Sequence, residues 1–443
     1  MRILHAADLH LGRTLHERDL IPDQRAMFDA MLDALAARRV DVLVIAGDVY
    51  DRAIPPPEAI ALFDDFLSRV AALPDGPVII VIPGNHDSAA RLSFGAGLFA
   101  RAGLHIRTRP EDVVAPIEVK RHGERALFWA LPYLNPGAFP RAAAGAASAG
   151  QAPEASGAAA AAAVEGKTKP GRQAELFDAA EAARDGAAPA EDAVAESPTL
   201  RSQAELFAEA MDRITPHLDP EAPNVLVAHC FAAGGAAGGS ERSFIGGAEE
   251  VPVSSFEAFD YAALGHLHRR QAAGPRARYP GTPLAYSFDE AAASPEKGFL
   301  LVEVSKGAFT EEPIVLAPLH CLSRVEGSYA ELSAPGAFPA LRGDYVEARL
   351  TDPDPVLDPV DALRANFPNL LSVRQAAFEL AESVAGSEGG AVPAPAQGAA
   401  CRGPEAVMAD FRSFFGEIRK TEPDAGTETL FAELVKEAEH ASS

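Results

Sequence analysis

The sequence predicts a mixed α/β fold in which a sheet carries helices on its faces. Two segments, Asp-Val-Leu-Val-Ile-Ala at 41–46 and the apolar run at 78–82, have the length and composition of buried strands. Apolar residues at helical spacing over 23–38, and a segment over 57–72 that begins after consecutive prolines, predict helices between the strands. The repeated order of strand, loop and helix is typical of α/β proteins.

The other elements follow from shorter apolar runs, taken in chain order. Residues 2–7 predict the first strand of the chain. Phe207, Met211, Ile214 and Leu218 lie at helical spacing and predict a helix late in the domain. Further strands are predicted over 105–107, 117–120, 126–131, 224–228, 261–264, 279–283, 298–304 and 314–316.

Changes in composition divide the chain into regions. Residues 141–198 contain mainly Ala, Gly, Glu and Pro, and they predict a flexible insertion within a first domain over 1–320. Residues 321–381 predict a small α/β domain, and 382–404 predict a linker rich in Gly, Ala and Pro. Two amphipathic helices are expected over 405–443.

Composition narrows the functional classes. The formal net charge of −24 argues against a protein that coats nucleic acid, because phosphate binding needs positive charge, so any such contact must be local or metal-assisted. The three cysteines form no Cys-x-x-Cys pair, which argues against disulfide frameworks and zinc ribbons. Asp8 and His10 interrupt the first apolar stretch, and long uncharged apolar runs are absent from the sequence; a cytoplasmic protein without a membrane span is therefore expected.

Carboxylate, amide and imidazole side chains follow five of the predicted strands. Such a mixed nitrogen and oxygen set suits manganese, iron or zinc better than calcium. Two metals bridged by a shared carboxylate activate water for phosphoester hydrolysis. Taken singly, each residue has an ordinary explanation as a helix cap, a turn residue or a structural histidine, so the prediction rests on their joint occurrence. The residues are Asp8, His10, Asp48, Asn85, His86, His229, His266 and His268.

Spacing within two of these segments adds a geometric expectation. Asp8 and His10 are separated by two positions, as are His266 and His268. Both side chains of each pair would lie on one side of the chain if the backbone stays extended there.

Together, Asp-x-His at 8–10, Gly-Asp at 47–48, Gly-Asn-His-Asp at 84–87, His229 and Gly-His-x-His at 265–268 resemble the calcineurin-like metallophosphoesterase signature. More narrowly, the Gly-Asp-Val-Tyr-Asp, Gly-Asn-His-Asp-Ser and Tyr-Pro-Gly-Thr-Pro segments resemble the SbcD family of bacterial nuclease subunits. The resemblance implies a four-layer α/β/β/α sandwich with a small α/β capping domain. It also implies C-terminal helices that dock on an SbcC-like coiled-coil ATPase, within a heterotetramer that contains a homodimer of the nuclease chain.

The resemblance further implies two divalent metal ions, with manganese expected. It assigns Asp8, His10, Asp48 and His268 to one ion, and Asp48, Asn85, His229 and His266 to the other. His86 is implied to protonate or stabilise the leaving oxygen, a role that suits imidazole. Asp87 is implied to orient His86 or its loop. Archaeal and eukaryotic relatives place a His four positions after the bridging Asp, whereas this chain has Arg52 there, preceded by Asp51.

Two further groups of residues carry weaker predictions. The cluster Arg269, Arg270, Arg276 and Arg278 could contact DNA phosphates or could form a solvated basic loop. The apolar positions of the C-terminal helices could bind the ATPase or pack against the capping domain. Those positions are Phe411, Phe414, Phe415, Ile418, Leu430, Phe431 and Leu434.

The leading functional hypothesis is a manganese-dependent DNA exonuclease and endonuclease subunit that acts in DNA repair with an ATPase. One alternative is a stand-alone phosphodiesterase or phosphatase acting on a small molecule. The purple acid phosphatase variety is disfavoured, because Asp51 stands where its iron-binding Tyr would be expected. Another alternative is a non-catalytic protein that tethers DNA ends to its partner.

Overall fold

The computed structural model of the chain describes all five segments that carry the predicted ligands. The described residues are 1–139, 200, 202–235, 250–293, 296–376, 428 and 431. The chain divides into two compact units, the first Met1–Leu350 with Leu357–Arg374 and the second Thr351–Val356 with Gln375–Ser443. Within the second unit, Val356 and Gln375 exchange two hydrogen bonds, from the Val356 amide at 2.8 Å and from Gln375 Nε2 at 3.1 Å.

Strands and helices alternate through the first half of the described chain. The strands are β1 Arg2–Ala6, β2 Thr14–Leu15, β3 Arg18–Asp19, β4 Val42–Ala46, β5 Val78–Ile82, β6 Leu104–Ile106, β7 Ile117–Arg121, β8 Glu124–Leu131, β9 Asn224–His229, β10 Phe231–Ala232, β11 Glu250–Val251, β12 Tyr261–Gly265, β13 Gln271–Ala273, β14 Ala277–Tyr279, β15 Gly298–Ser305, β16 Ala308–Val315, β17 Leu322–Gly327, β18 Tyr345–Leu350 and β19 Leu370–Gln375. The α-helices are α1 Ile21–Arg38, α2 Pro57–Ala71, α3 Ala89–Leu92, α4 Ala96–Phe99, α5 Gln203–Ile214, α6 Phe288–Ala293, α7 Tyr329–Ser333 and α8 Pro359–Asn366. Short 3-10 helices cover Ala100–Ala102, Pro110–Val114, Thr215–His217, Val253–Phe256 and Pro339–Leu341.

Two six-stranded sheets form the centre of the first unit. The first sheet has the order β16-β15-β1-β4-β5-β6, and the second has the order β13-β14-β12-β9-β8-β7. In the first, β1, β4, β5 and β6 are parallel, β15 pairs antiparallel with β1, and β16 pairs antiparallel with β15. In the second, β8, β9, β12 and β14 are parallel, flanked by antiparallel β7 and β13. Each sheet therefore presents the carboxyl ends of several neighbouring strands at one edge.

Side chains alternate between two apolar layers along the central strands. In β4, Leu43 and Ile45 pack toward α1 and α2, where Phe28 and Phe66 stack at 4.0 Å. Val42 and Val44 point the other way, into a core shared with the second sheet. Because both faces are covered, the whole strand is buried, which explains its uninterrupted apolar sequence.

The outer face of the second sheet completes the layers. Trp129 of β8 lies in one core with Phe207 of α5 and with Phe256, whose rings meet edge to face at 5.7 Å. The order of layers is thus helices, sheet, sheet, helices, and the predicted α/β/β/α sandwich is confirmed. Most predicted strand limits agree with the structure to within about two residues, as for β5 at Val78–Ile82.

The predicted strand over 279–283 is wrong for most of its length. β14 ends at Tyr279, because Pro280 and Pro283 have no amide hydrogen to donate to a neighbouring strand. Gly281 has a φ of 77°, a left-handed conformation that is incompatible with a continuing strand. The segment instead turns back toward His268, whose carbonyl accepts the amide of Thr282 at 3.1 Å.

A smaller sheet follows the sandwich in sequence. β17, β18 and β19 form a three-stranded sheet with α7 and α8, which confirms the α/β character predicted for this stretch. Its separation as a domain from residue 321 stays a prediction. Tyr345 of β18 donates a hydrogen bond to Asp23 of α1 at 2.9 Å.

The predicted insertion at 141–198, the linker at 382–404 and the C-terminal helices at 405–443 lie outside the described residues, apart from helical Glu428 and Phe431. No helix among the described residues is both long enough and apolar enough to cross a bilayer.

Candidate metal centre

Five loops at the carboxyl ends of strands from both sheets meet at one site. Asp8 and His10 follow β1, Asp48 follows β4, and Asn85 and His86 follow β5. His229 is the last residue of β9, while His266 and His268 follow β12. Parallel strands end at a common edge, so residues far apart in sequence are brought together there. All of the predicted ligands are present in this one cluster.

The first of the two predicted ligand sets comprises Asp8, His10, Asp48 and His268. Potential ligand atoms of Asp8, His10 and His268 all lie within 4.8 Å of one another. The Nε2 atoms of His10 and His268 are 3.1 Å apart, and His10 Nε2 lies 3.8 Å from Asp48 Oδ2. His10 and His268 are buried, so their ring nitrogens face each other rather than bulk water.

The second predicted ligand set comprises Asp48, Asn85, His229 and His266. His229 Nε2 lies 3.5 Å from Asp48 Oδ2 and 3.0 Å from Asn85 Oδ1. His266 Nδ1 lies 3.1 Å from the same amide oxygen. Asp48 Oδ2 therefore stands between an imidazole of each set, which is the place expected of a bridging carboxylate.

The chemistry of these atoms fits divalent cations. His229 donates its Nδ1 hydrogen to the Ala46 carbonyl at 2.9 Å, and burial lowers the pKa of its imidazole, so the neutral ring presents a lone pair at Nε2. That lone pair faces the oxygen of Asn85, and two acceptors at such a distance repel unless a cation lies between them. The donor atoms of these residues are therefore suited to binding a divalent cation.

Burial also sets the protonation of the other ligands. Burial lowers the pKa of His10, and it lowers the pKa of His266 to about 3. Burial opposes ionisation of Asp48, but the neighbouring imidazoles, when they are protonated, and the backbone amide of His86 lower the pKa of its carboxyl. Neutral imidazoles around an ionised carboxylate are the protonation states that metal binding requires.

The backbone at Asp8–His10 is not extended, so the condition under which both side chains would lie on one side of the chain is not met. Asp8 has a φ of 55° and His10 a φ of 44°, both in the left-handed region, and Asp48 has a φ of 48°. These conformations are held because the loops pair with each other: the Asp8 amide donates to Gly47 at 3.0 Å, and the His10 amide donates to Asp48 at 3.0 Å. Backbone strain of this kind concentrates at functional sites.

Two glycines of the motifs lie so close to neighbouring chain segments that a Cβ atom would not fit. A Cβ at Gly265 would lie 1.8 Å from the Ala46 carbonyl oxygen, and a Cβ at Gly84 would lie 2.1 Å from Asp48 Oδ1. Each glycine thus allows its loop to pack directly against the loop that carries Asp48.

His86 reaches into the centre from the β5 loop. Its Nδ1 donates to the backbone carbonyl of Asp51 at 2.9 Å, and its ring meets that of His10 edge to face at 4.9 Å. One of its ring nitrogens is close enough to His10 and Asp48 to share a metal with them. The structure thus brings His86 to the site, and its exclusion from the ligands stays a prediction.

Asp87 holds the loops together. Its carboxylate accepts the backbone amides of Val49 at 3.0 Å, Tyr50 at 2.9 Å and Gly84 at 3.0 Å. Of the two predicted tasks, orientation of the loop is the one that these contacts support. Burial and the charge of Asp48 raise the pKa of Asp87 to about 7, although the three amide donors favour its ionised form.

Several residues that support the ligands have no such role assigned to them by the sequence motifs. Gln24 of α1 donates to the His10 carbonyl at 2.8 Å and accepts the Gly12 amide at 3.0 Å, which fixes the β1 loop. Glu290 lies 3.5 Å from Nδ1 of His268, and Asp51 lies 3.6 Å from Nδ1 of His10. These residues are far in sequence from the residues that they support, so no short, regular spacing in the sequence reveals the contact.

The arginine cluster past His268 is partly neutralised. Arg278 pairs with Glu311 at 2.6 Å, and Arg270 pairs with Glu296 at 2.9 Å. Arg276 donates to the Gly307 carbonyl at 2.9 Å, while Arg269 is exposed. DNA binding by this cluster stays a prediction, with Arg269 as its most accessible member.

Cys230, which follows the predicted ligand His229, is buried.

Comparison with known proteins identifies the N-terminal part of the chain. Residues 1–130 match the family model described as calcineurin-like phosphoesterase. That range includes Asp8, Asp48 and His86, and it ends before His229 and His266. One solved structure aligns with 70% of this chain and 98% of its own, at 11% identity and a TM-score of 0.34. The chain carries a calcineurin-like phosphoesterase domain at its N-terminus.

Proposed function

We propose that the chain is the nuclease subunit of a DNA-repair complex and hydrolyses DNA phosphodiester bonds as an exonuclease and endonuclease. The observation that supports hydrolysis most strongly is Asp48 Oδ2, which lies 3.8 Å from His10 Nε2 and 3.5 Å from His229 Nε2. A carboxylate between two ligand groups suits a two-metal centre. The SbcD-like motifs support DNA as the substrate, and manganese is the expected metal.

Bound divalent ions would supply an activated water and charge stabilisation for the phosphate oxygens. Asp8, His10, Asp48 and His268 would hold one ion, and Asp48, Asn85, His229 and His266 the other. His86 donates Nδ1–H to Asp51 whether its ring is neutral or protonated, so Nε2 is the atom that can deliver a proton to the leaving oxygen. Asp87 keeps the loops that carry these groups in register.

A nuclease of this type must receive DNA despite a strongly acidic chain. The net charge of −24 favours a narrow contact next to the metals over a wide basic surface. Exposed Arg269, one residue beyond His268, would contact a phosphate near the scissile bond. The two ion-paired arginines, Arg270 and Arg278, would contribute less because their charges are already offset.

We further propose that two copies of the chain associate through a surface beside the site. Ile60 of α2, Phe94 and Phe99 are 48%, 85% and 41% exposed, and they line a groove of about 490 Å³. Exposed apolar residues of this size, grouped on one surface, favour association. A Phe94→Glu variant should be monomeric by light scattering where the wild-type chain is dimeric; a dimeric variant would contradict this assignment.

The substrate class is tested by a comparison of DNA with a small phosphodiester. Purified chain with manganese should degrade linear duplex and hairpin DNA in preference to bis-p-nitrophenyl phosphate. Hydrolysis of the small ester without DNA degradation would favour the stand-alone phosphodiesterase. Binding of DNA ends without hydrolysis of either substrate would favour the non-catalytic tether.

A further inference from the structure

We propose that Asp51 and Glu290 are positioning residues that make the first metal site, built from Asp8, His10, Asp48 and His268, bind divalent cations more tightly than the second. This inference rests on the metal-dependent function proposed above. It concerns the groups next to the ring nitrogen of each histidine that points away from the metal site. Neither the motifs nor the family match assigns a role to these groups.

His10 has a carboxylate on its outer side. Its Nε2 faces His268, while its Nδ1 points away from the centre and lies 3.6 Å from Oδ1 of Asp51. Among the described residues, Nδ1 of His10 has no hydrogen-bond partner although the ring is buried. Arg13 holds the carboxylate in place through an ion pair at 3.1 Å. A small movement of Asp51 would bring it within hydrogen-bond distance of this nitrogen.

His268 has the same arrangement on the other side of the first site. Its Nδ1 lies 3.5 Å from Oε2 of Glu290, a residue of α6 that is only 8% exposed. Lys297 forms an ion pair with the other oxygen of Glu290, and it also donates to the His268 carbonyl at 2.9 Å. The Tyr286 amide donates to Oε2 of Glu290 at 3.1 Å. This buried carboxylate is therefore fixed in position.

A shared aromatic side chain connects the two carboxylate pairs. The ring of Tyr286 meets His10 edge to face at 5.6 Å and lies 6.5 Å from His268. Arg13 lies over the same ring at 5.2 Å from its centroid. The outer sides of both imidazoles are thus packed against one rigid group, which restricts rotation of either ring.

Among the described residues, the groups on the outer sides of the two imidazoles of the second site are neutral. His229 donates its outer Nδ1 hydrogen to the backbone carbonyl of Ala46 at 2.9 Å. His266 lies against Phe231, with ring centroids 6.3 Å apart. A carbonyl fixes the tautomer of an imidazole as a carboxylate does, but it carries no net charge to raise the basicity of the ligand nitrogen.

This difference predicts unequal affinities. A carboxylate that accepts the outer N–H of a ligand histidine orients the ring and strengthens its metal bond, and loss of such a partner typically lowers metal affinity by about 10- to 100-fold. The first site has a carboxylate on the outer side of each imidazole, Glu290 at 3.5 Å from His268 and Asp51 at 3.6 Å from His10. The imidazoles of the second have a carbonyl and an aromatic ring there. The first site should therefore fill at lower metal concentration.

The test is a Mn²⁺ titration of chelator-stripped protein, with free Mn²⁺ measured by electron paramagnetic resonance. Wild-type protein should show a tighter and a weaker class of site. Glu290→Gln and Asp51→Asn should each raise the dissociation constant of the tighter class by about 10- to 100-fold and leave the weaker class unchanged. Asn85→Ala, which removes a ligand of the second site, should abolish the weaker class only.

Asp260→Asn is the matched control. Asp260 is also a buried carboxylate paired with a lysine, Lys306 at 3.3 Å, but it precedes β12 at the end opposite the site. This variant should keep both wild-type affinities. Thermal melts of each variant in chelator establish that the protein is folded, and Asp51, on a partly exposed loop, provides the measurement if Glu290→Gln does not fold.

The outcomes separate the inference from the proposed function. Absence of Mn²⁺ binding by wild-type protein would contradict the proposed function itself. Two bound ions with affinities that shift equally in Glu290→Gln and Asp51→Asn, or that do not shift, would overturn only the inference. Removal of the tighter class by Asn85→Ala would also overturn it, because the order of filling would then be reversed.

Discussion

The carboxylate of Asp87 accepts the backbone amide of Tyr50 at 2.9 Å, which joins the loop after β5 to the loop that carries Asp48. The same carboxylate accepts two more amides, from Val49 and Gly84. A single side chain thus satisfies three donors that would otherwise be left without partners in a half-buried position.

Asp87→Ala should therefore weaken the fold around the site. Loss of the acceptor leaves three amides unsatisfied, and the free energy of unfolding should fall by about 2–3 kcal/mol. Urea denaturation in the presence of chelator measures this. Asp19→Ala is the control, because Asp19 accepts only the Ile21 amide on an exposed turn, and it should cost less than about 1 kcal/mol. Equal losses in both variants would contradict this role for Asp87.

Gly265→Ala should prevent assembly of the centre. The added Cβ would lie 1.8 Å from the Ala46 carbonyl oxygen and 2.8 Å from Nδ1 of His229, so β9 and β12 must move away from the Asp48 loop. We expect a loss of at least ~3 kcal/mol in unfolding free energy, together with loss of Mn²⁺ binding.

Gly343→Ala provides the matched control, since a Cβ there has no described atom within 4 Å. Its unfolding free energy should stay within about 0.5 kcal/mol of the wild-type value. A Gly265→Ala protein that keeps wild-type stability and metal content would show that the close approach is not required.

Acid should destabilise the protein through His5. His5 is buried between the sheets, where its ring contacts the Tyr261 hydroxyl at 2.9 Å and the Leu264 carbonyl at 3.1 Å. Burial lowers its pKa from 6.5 to about 3. Below pH 6.5 His5 takes up a proton in the unfolded chain, whereas in the folded chain it stays neutral until about pH 3. The free energy of unfolding therefore falls as the pH decreases through this window.

His5→Gln should flatten this dependence. One such group contributes a loss of about 2 kcal/mol between pH 7.5 and pH 5, which the variant should lack. Unfolding free energies at the two pH values measure the difference, and exposed His217→Gln should keep the wild-type slope. A His5→Gln protein with the wild-type slope would show that His5 is not the group responsible.

Phe411 and Phe415 should be needed for association with a coiled-coil ATPase. They lie four residues apart in a segment with helical apolar spacing, and they would share one face of that helix. Phe411→Asp/Phe415→Asp should abolish co-purification with the ATPase. Ser413→Asp is the control, because it adds a negative charge on the opposite face of the same predicted helix, and it should leave co-purification unchanged. Retention of the ATPase by the double variant would contradict the docking proposal.

The sequence was most informative where burial dictates residue type. β4 and β5 were predicted closely because strands covered on both faces must be apolar throughout. The predicted ligands were recognised because carboxylate, amide and imidazole side chains follow directly after those apolar runs. The family motifs then supplied the assignment of ligands to two ions, which spacing alone leaves open.

The features that were not predicted depend on contacts between distant segments. The left-handed backbone at Asp8 and His10 results from pairing with the loop after β4 and from the Gln24 side chain. Glu290 supports His268 only because the turn after β14 returns the chain to that residue. Likewise, the ion pair of Arg278 with Glu311 comes from a neighbouring hairpin and offsets a charge that the sequence presents as free.

His86→Ala tests the central claim most directly. Wild-type and variant protein are loaded with Mn²⁺, their bound metal is measured, and cleavage of linear duplex DNA is followed for both. We predict that the variant keeps its metal and loses at least ~100-fold in cleavage rate, because it lacks the imidazole that serves the leaving oxygen. Unchanged cleavage, or loss of metal together with activity, would contradict the role assigned to His86.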